Sequence, residues 1–340
     1  MNRAPARTIL VTSILAFTLV VVTSCDDSGS VLPIADAGSD APFVASPETF
    51  GRGEYLVKSV AGCAECHTPR DAQGNLDMSR WMAGVEARFD LAPLDDAIGA
   101  VSAPNLTPDA TGLAKWTDDQ IRRAIVDGVS NDGTPLSPFM PSYVFHNMTD
   151  ADARAIGVYL RSLQPIANAV PARQPLPIAI NAPPLPIPES AIPHTTLPPT
   201  DPSFSRAEHG RYLAAEVGFC MDCHSPWRFD APTPLDVHSL FAGNRAFSSR
   251  EWHVQPPAPA VVYSYNVTPH ANGIAGWKPA AVARAITSGV DDVGATLCRP
   301  MPSGPMGSFG GMTADDALDI GIYLTTLPPI DSGGIPSCPR

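Results

Sequence analysis

The chain is poor in charge. Only 16% of its 340 residues are Asp, Glu, Lys or Arg, and positive charge is the scarcer kind, with 22 Lys and Arg against 34 Asp and Glu. A formal net charge of −12 excludes nucleic acid as the expected partner. Apolar runs of membrane-spanning length are missing. The run from Ile9 to Val22 is too short, and too near the end, to be read as a span. The βαβ pattern that surrounds a thioredoxin-like dithiol is missing too. Proline, in contrast, is abundant, with 38 residues that loops and linkers must absorb.

Two short stretches stand out against this background. Cys63-Ala64-Glu65-Cys66-His67 and Cys220-Met221-Asp222-Cys223-His224 both read Cys-x-x-Cys-His, the attachment signal of c-type haem. Residues i and i+3 lie on one face of a helical turn, so both thiols can reach the vinyl groups of one porphyrin. The histidine that follows then offers its imidazole to the iron. A zinc site is the competing reading, but paired Cys-x-x-Cys ligands normally lie within about 20 residues of each other.

The N-terminus predicts export. Arg3 and Arg7 form a positive n-region, Ile9–Val22 an apolar h-region, and Val22-Thr23-Ser24-Cys25 resembles a bacterial lipobox. Residues 1–24 are read as a signal peptide and Cys25 as the lipidated residue; an ordinary secretory signal with a free Cys25 is the alternative. Residues 25–48, rich in Ala, Asp, Ser and Gly, read as a flexible tether.

The remaining chain repeats itself. Tyr55/Tyr212, Cys63/Cys220, Cys66/Cys223 and His67/His224 are each 157 apart. Asn105/Asn266, Trp116/Trp277, Gly128/Gly289 and Met140/Met301 are each 161 apart, and Thr149/Thr313 and Tyr159/Tyr323 are 164 apart. The offset changes only in predicted loops, so two modules of one architecture are expected, over 49–166 and 204–331. Each is mainly helical. A first helix is expected to run into the haem motif. A helix begins at Thr117, whose spacing to Gln120 is that of a capping box, and ends at Gly128. The last helix follows Thr149. Residues 167–203 form a proline-rich connector, either lying along a module surface or acting as a plain spacer, and 332–340 a tail.

A haem iron with one histidine needs a sixth ligand or an open face. Met140 and Met301 hold one register, each followed by proline, and are the candidates; Met306 competes with Met301. Met148 and Met312 also match, but each precedes the Thr of a helix cap and reads as a core staple. The other histidines have no counterpart between copies and read as surface or loop residues. Asn105, Asn266, Trp116 and Trp277 are candidate hydrogen-bond donors to haem propionates, or else fix a turn (Asn) and fill core (Trp). Cys298 and Cys338 remain, either as a disulfide or as two free thiols.

Taken together, these motifs resemble the class I cytochrome c family: Gly-x-Tyr-Leu before Cys-x-x-Cys-His, then Asn-x-Thr-Pro, Trp, Met-Pro and a last helix ending in Tyr-Leu. The stretch from Pro104 to Trp116 resembles the cytochrome c subunits of bacterial periplasmic alcohol and aldehyde dehydrogenases. The resemblance implies a mainly α fold of two tandem haem domains with long loops. It also implies two covalent haem c groups attached outside the cytoplasm, and close crossings of the first and last helices at Gly53 with Tyr159 and Gly210 with Tyr323. The expected activity is single-electron transfer rather than catalysis. The expected partners are redox proteins, such as a periplasmic dehydrogenase and a terminal oxidase or other cytochrome, with a lipid anchor on the periplasmic side of a membrane. A dihaem peroxidase, or a haem oxidoreductase of the thiosulfate dehydrogenase kind with one open iron, is the enzymatic alternative.

Overall fold

The computed structural model describes residues 42–90, 100–171, 185–228, 233–248, 261–305 and 307–334. The predicted signal, residues 25–41 of the tether, and His253, Met306 and Cys338 lie outside the described residues. The described residues belong to one compact unit.

The same order of elements runs twice through it. In the first half α1 (Pro47–Tyr55) passes into a π-helical turn (Leu56–Val60), then α2 (Cys63–His67), β1 (Val85–Asp90), β2 (Ala100–Ala103), α3 (Asp118–Val126), α4 (Ser142–Phe145) and α5 (Asp150–Ser162). The second half repeats this with α6 (Phe204–Tyr212), a π turn (Leu213–Val217), α7 (Cys220–Cys223), β3 (Ala246–Ser248), β4 (Val261–Tyr263), α8 (Pro279–Ser288) and α9 (Ala314–Thr325). A 3₁₀ turn at Ser308–Gly311 stands where the first half has α4. Helices and long loops dominate, as expected. Two antiparallel hairpins, β1–β2 and β3–β4, lie in stretches that the sequence pattern reads as loop.

Local chemistry sets the helix boundaries. Gln120 N–H donates to Thr117 Oγ1 at 3.2 Å and Thr117 N–H to Gln120 Oε1 at 2.8 Å, which completes the capping box of α3. Thr149 and Thr313 cap α5 and α9 by accepting from the backbone N–H of Asp152 and Asp316. Met148 and Met312, just ahead of these caps, are buried in the core. Glycine lets the first and last helices cross closely: a Cβ at Gly53 would sit 1.8 Å from the Ala155 carbonyl oxygen and 3.1 Å from Tyr159 Cβ. In the second half the corresponding contact of Gly210 falls on the Asp319–Ile320 backbone. The first helix does not run straight into the motif. The chain widens to a π turn and breaks at Gly62, which has φ +57°, and the Phe219 ring of the other half fills the space a Cβ would need there.

The halves share their interior. One cluster of buried side chains takes in Leu56, Val60 and Tyr143 together with Leu213, Val217 and Tyr323. They also exchange helix caps. The Tyr55 hydroxyl donates to the Asp316 carboxylate and accepts the Thr313 N–H, at the start of α9. The Tyr212 hydroxyl donates to Asp152 Oδ2 at 2.7 Å and accepts the Thr149 N–H, at the start of α5. The described end of the proline-rich connector lies along this body: Ile187 and Ile192 are buried, and Ile187 N–H donates to the Tyr143 carbonyl at 2.9 Å.

Candidate functional site

Each Cys-x-x-Cys-His motif forms a single helical turn entered from a π turn. That turn puts both cysteines on one side. His67 is buried, and its Nδ1 lies 2.8 Å from the Pro104 carbonyl oxygen. His224 makes the matching contact, at 2.7 Å, with the Tyr265 carbonyl. With Nδ1–H donated to a carbonyl, the ring orientation is fixed and Nε2 keeps its lone pair for a metal. Burial lowers the pKa of both histidines and so favours the neutral imidazole that an iron ligand must be. The donor set of two thiols and one oriented imidazole is what a c-type haem requires, and each half supplies it once.

The competing chemistries lack their geometry. Among the described residues there is no group of three or more His, Cys, Asp or Glu side chains that could hold a metal ion, so the four motif cysteines do not gather into a zinc site. A reactive dithiol needs a lowered thiol pKa. Here burial pushes Cys63 and Cys220 up to about 12.

The Cys223 thiol is raised chiefly by burial and by Asp222, and Cys66 of the other motif lies near enough to contribute. An acidic residue precedes the second cysteine in both, and both acids are buried and engaged. Glu65 accepts from Arg70, from Ser308 N–H at 3.0 Å and from Ser308 Oγ at 2.7 Å. Asp222 accepts from the Tyr143 hydroxyl, from Trp227 Nε1 at 3.2 Å and from Arg245. Burial works against the Arg245 charge, but the Asp222 carboxylate more than restores it, so the guanidinium is held above its ordinary pKa. Burial likewise pushes the Tyr143 hydroxyl well up, which keeps it a proton donor.

Met140 and Met301 are half-buried against the core in their loops. Asn105 and Asn266 are buried, and their polar atoms are taken up by the protein itself. Asn105 Nδ2 donates to Thr111 Oγ1 at 3.0 Å and to the Ile166 carbonyl at 2.8 Å, while its Oδ1 accepts from Thr107 N–H and Oγ1. Asn266 does the same with Asn272, Ile330 and Thr268. This is the geometry of a residue that fixes a turn. Trp116 and Trp277 pack, partly buried, on the core. Of the other histidines, His194 and His209 pair with Glu208 and Asp319, and His146 and His270 bond to the Val126 carbonyl and Asn272. Cys298 is disulfide-bonded, while its expected partner Cys338 is outside the described residues.

Sequence reasoning left the carbonyl acceptors of the histidines unnamed and passed over Glu65, Asp222, Tyr143 and Arg245. A signal for the acids was present, because Glu65 and Asp222 are 157 apart, in the register of the motif cysteines.

No protein-family model matches the chain. Among curated proteins it is similar to a subunit of the nicotinate dehydrogenase of Pseudomonas putida, 31% identical over 173 residues, which are 50% of this chain and 13% of that protein. It is similar to the fructose dehydrogenase cytochrome subunit of Gluconobacter japonicus, 30% identical over 197 residues, 55% of this chain and 37% of that one. It is 29% identical over 300 residues to the cytochrome c subunit of a quinone alcohol dehydrogenase of Gluconacetobacter polyoxogenes, covering 82% of this chain and 56% of that subunit. The matched stretches span less than two thirds of each relative's length. The chain is thus homologous to the cytochrome c subunits of bacterial alcohol and sugar dehydrogenases.

Proposed function

We propose, from that homology and from the paired sites, that this chain is an exported dihaem cytochrome c, anchored by lipid at Cys25, that passes single electrons between redox proteins. The observation that carries the reading is the duplicated site: two helical Cys-x-x-Cys-His turns, each with its imidazole tied through Nδ1 to a backbone carbonyl. Cys63 and Cys66, and Cys220 and Cys223, would each hold one haem, with His67/Met140 and His224/Met301 as axial pairs. Bound haem supplies a one-electron iron couple, and a thioether ligand raises its potential. The protein's own part is to hold the imidazoles neutral and oriented and to join the two halves through one buried core, so that an electron entering one half can pass to the other.

The donor is proposed to be a dehydrogenase, in line with what the names of the relatives say of those proteins, and the acceptor an oxidase or another cytochrome. The excess of acidic residues suits partners with basic docking patches, and such steering weakens with salt. Among the described residues no helix is long and apolar enough to cross a membrane, and the anchor is assigned to Cys25 from its lipobox alone.

The test is the optical spectrum of the oxidised protein. Two His/Met centres predict a low-spin spectrum whose long-wavelength sulfur-to-iron band falls by about half in each of Met140→Ala and Met301→Ala. A high-spin iron in the wild type would reject the carrier reading in favour of an open, catalytic haem.

A further inference from the structure

The loop of each candidate methionine is fastened by the opposite half of the molecule, on both sides of the methionine. In the first half Phe139, directly before Met140, stacks on Trp227 with ring centroids 5.3 Å apart and planes 24° apart. Tyr143, three residues after Met140 and only 1% exposed, donates its hydroxyl to Asp222. Asp222 and Trp227 are bonded to each other at 3.2 Å, and Arg245 clamps both, donating to the Asp222 carbonyl at 2.9 Å and lying 4.3 Å over the Trp227 ring. In the second half Arg299, two residues before Met301, donates to the Gly74 carbonyl and, at 3.4 Å, to Asn75 Oδ1. Ser308, seven residues after Met301, donates twice to Glu65. The acid inside each haem motif is therefore the anchor of the other half's methionine loop.

We infer that Asp222 and Glu65 are crossed positioning residues: Asp222 sets the methionine–iron bond of the first haem through Tyr143 and Trp227, and Glu65 that of the second through Ser308. This rests on the His/Met reading above. A loop ligand bonds well only if its loop is held, because a thioether is a weak, neutral ligand and a small drift of the backbone removes it. These contacts on both flanks of each loop come from the opposite half, so the stiffness of one haem's sixth ligand is set by the helix that attaches the other haem. A change at one attachment turn then alters the electronic state of the iron in the other half.

The test uses the full-length, haem-loaded chain in two parent variants. In Met301→Ala the remaining sulfur-to-iron band belongs to Met140, and in Met140→Ala it belongs to Met301. Asp222→Ala added to the first parent is expected to remove most of the remaining band and lower the potential of that haem, with the haem count per chain unchanged. Added to the second parent, Asp222→Ala is expected to leave the band in place. In the first parent Asp222→Asn, which can still accept from Tyr143, is expected to restore much of what the alanine loses. A loss confined to the Met301 band would overturn the proposal, since Asp222 would then act only on its own half; so would no change in either band. If Asp222→Ala accumulates no haem-loaded protein, Tyr143→Phe with Trp227→Leu in the Met301→Ala parent carries the same expectation, and an unaltered Met140 band there would equally overturn it. Parents that show no sulfur-to-iron band before Asp222 is touched would instead sink the His/Met reading, and this inference with it.

Discussion

Asn105 illustrates how far a single residue can be read. Its repetition at Asn266 and its place in Asn-x-Thr-Pro were plain in the sequence, and both a haem-contacting role and a turn-fixing role fitted that pattern. Four hydrogen bonds favour the turn-fixing role, and one of them ends on the Ile166 carbonyl, which nothing in the sequence marks. Asn105→Ala leaves the Thr107 N–H without its acceptor in a buried site, removes one of the two donors to the Ile166 carbonyl, and is expected to destabilise the protein by about 2 kcal/mol or more. Denaturant unfolding checks this. A variant with unchanged midpoint but a shifted haem potential would return Asn105 to the role of haem contact. The acids were harder to read. Glu65 and Asp222 are helical charges at a repeated position, and a solvated face is the ordinary meaning of such charges. Only the partners from the other half reveal them as buried anchors.

At the scale of elements, the helices and their caps were legible because they depend on neighbours in sequence. Thr117 with Gln120 and Thr149 with Asp152 needed nothing distant. The hairpins were not legible, because their short strands are defined by pairing across a loop. The crossing of α1 and α5 depends on Gly53, where a Cβ would overlap the Ala155 carbonyl oxygen. Gly53→Val is expected to force the helices apart at a cost of about 1–3 kcal/mol or more, read as a lowered thermal midpoint; an unchanged midpoint would show that the two helices are free to slide.

The same pair of helices is joined by Arg52, whose Nε and Nη2 bond Asp152 at 2.8 and 2.7 Å, and Tyr212 adds a third donor. Burial alone would raise the Asp152 pKa, but the bonds from Arg52 and Tyr212 outweigh it and hold the carboxyl below its ordinary value. A depressed folded pKa gives stability that is complete above the unfolded pKa and is lost as pH falls through the folded one. The stability gap between wild type and Asp152→Asn is therefore expected to be constant at neutral pH and to shrink below about pH 4. Urea titrations over that range measure it, and a gap that persists undiminished into acid would contradict the assignment.

On the whole-molecule scale, the repeat was visible, and with it the expectation of two modules on a proline-rich connector. How tightly the halves join was not. The cap exchanged between Tyr55 and Asp316 is only a pair of letters 261 positions apart, and no local pattern announces such a pair. Phe219 in the space beside Gly62 is equally silent in sequence. Because the buried core is continuous across the halves, calorimetry of the haem-loaded protein is expected to give one cooperative transition, with Tyr55→Phe and Tyr212→Phe each lowering it by about 1 kcal/mol. Two separate transitions would mean that the halves unfold as independent domains.

The central claim is that each Cys-x-x-Cys-His turn holds one haem covalently, and intact-mass measurement of the exported chain, paired with a reduced pyridine spectrum, tests it most directly. Two haem groups per chain are predicted, with one lost in Cys63→Ser/Cys66→Ser and the other in Cys220→Ser/Cys223→Ser. A chain that carries four unmodified thiols, or bound zinc in their place, would contradict it.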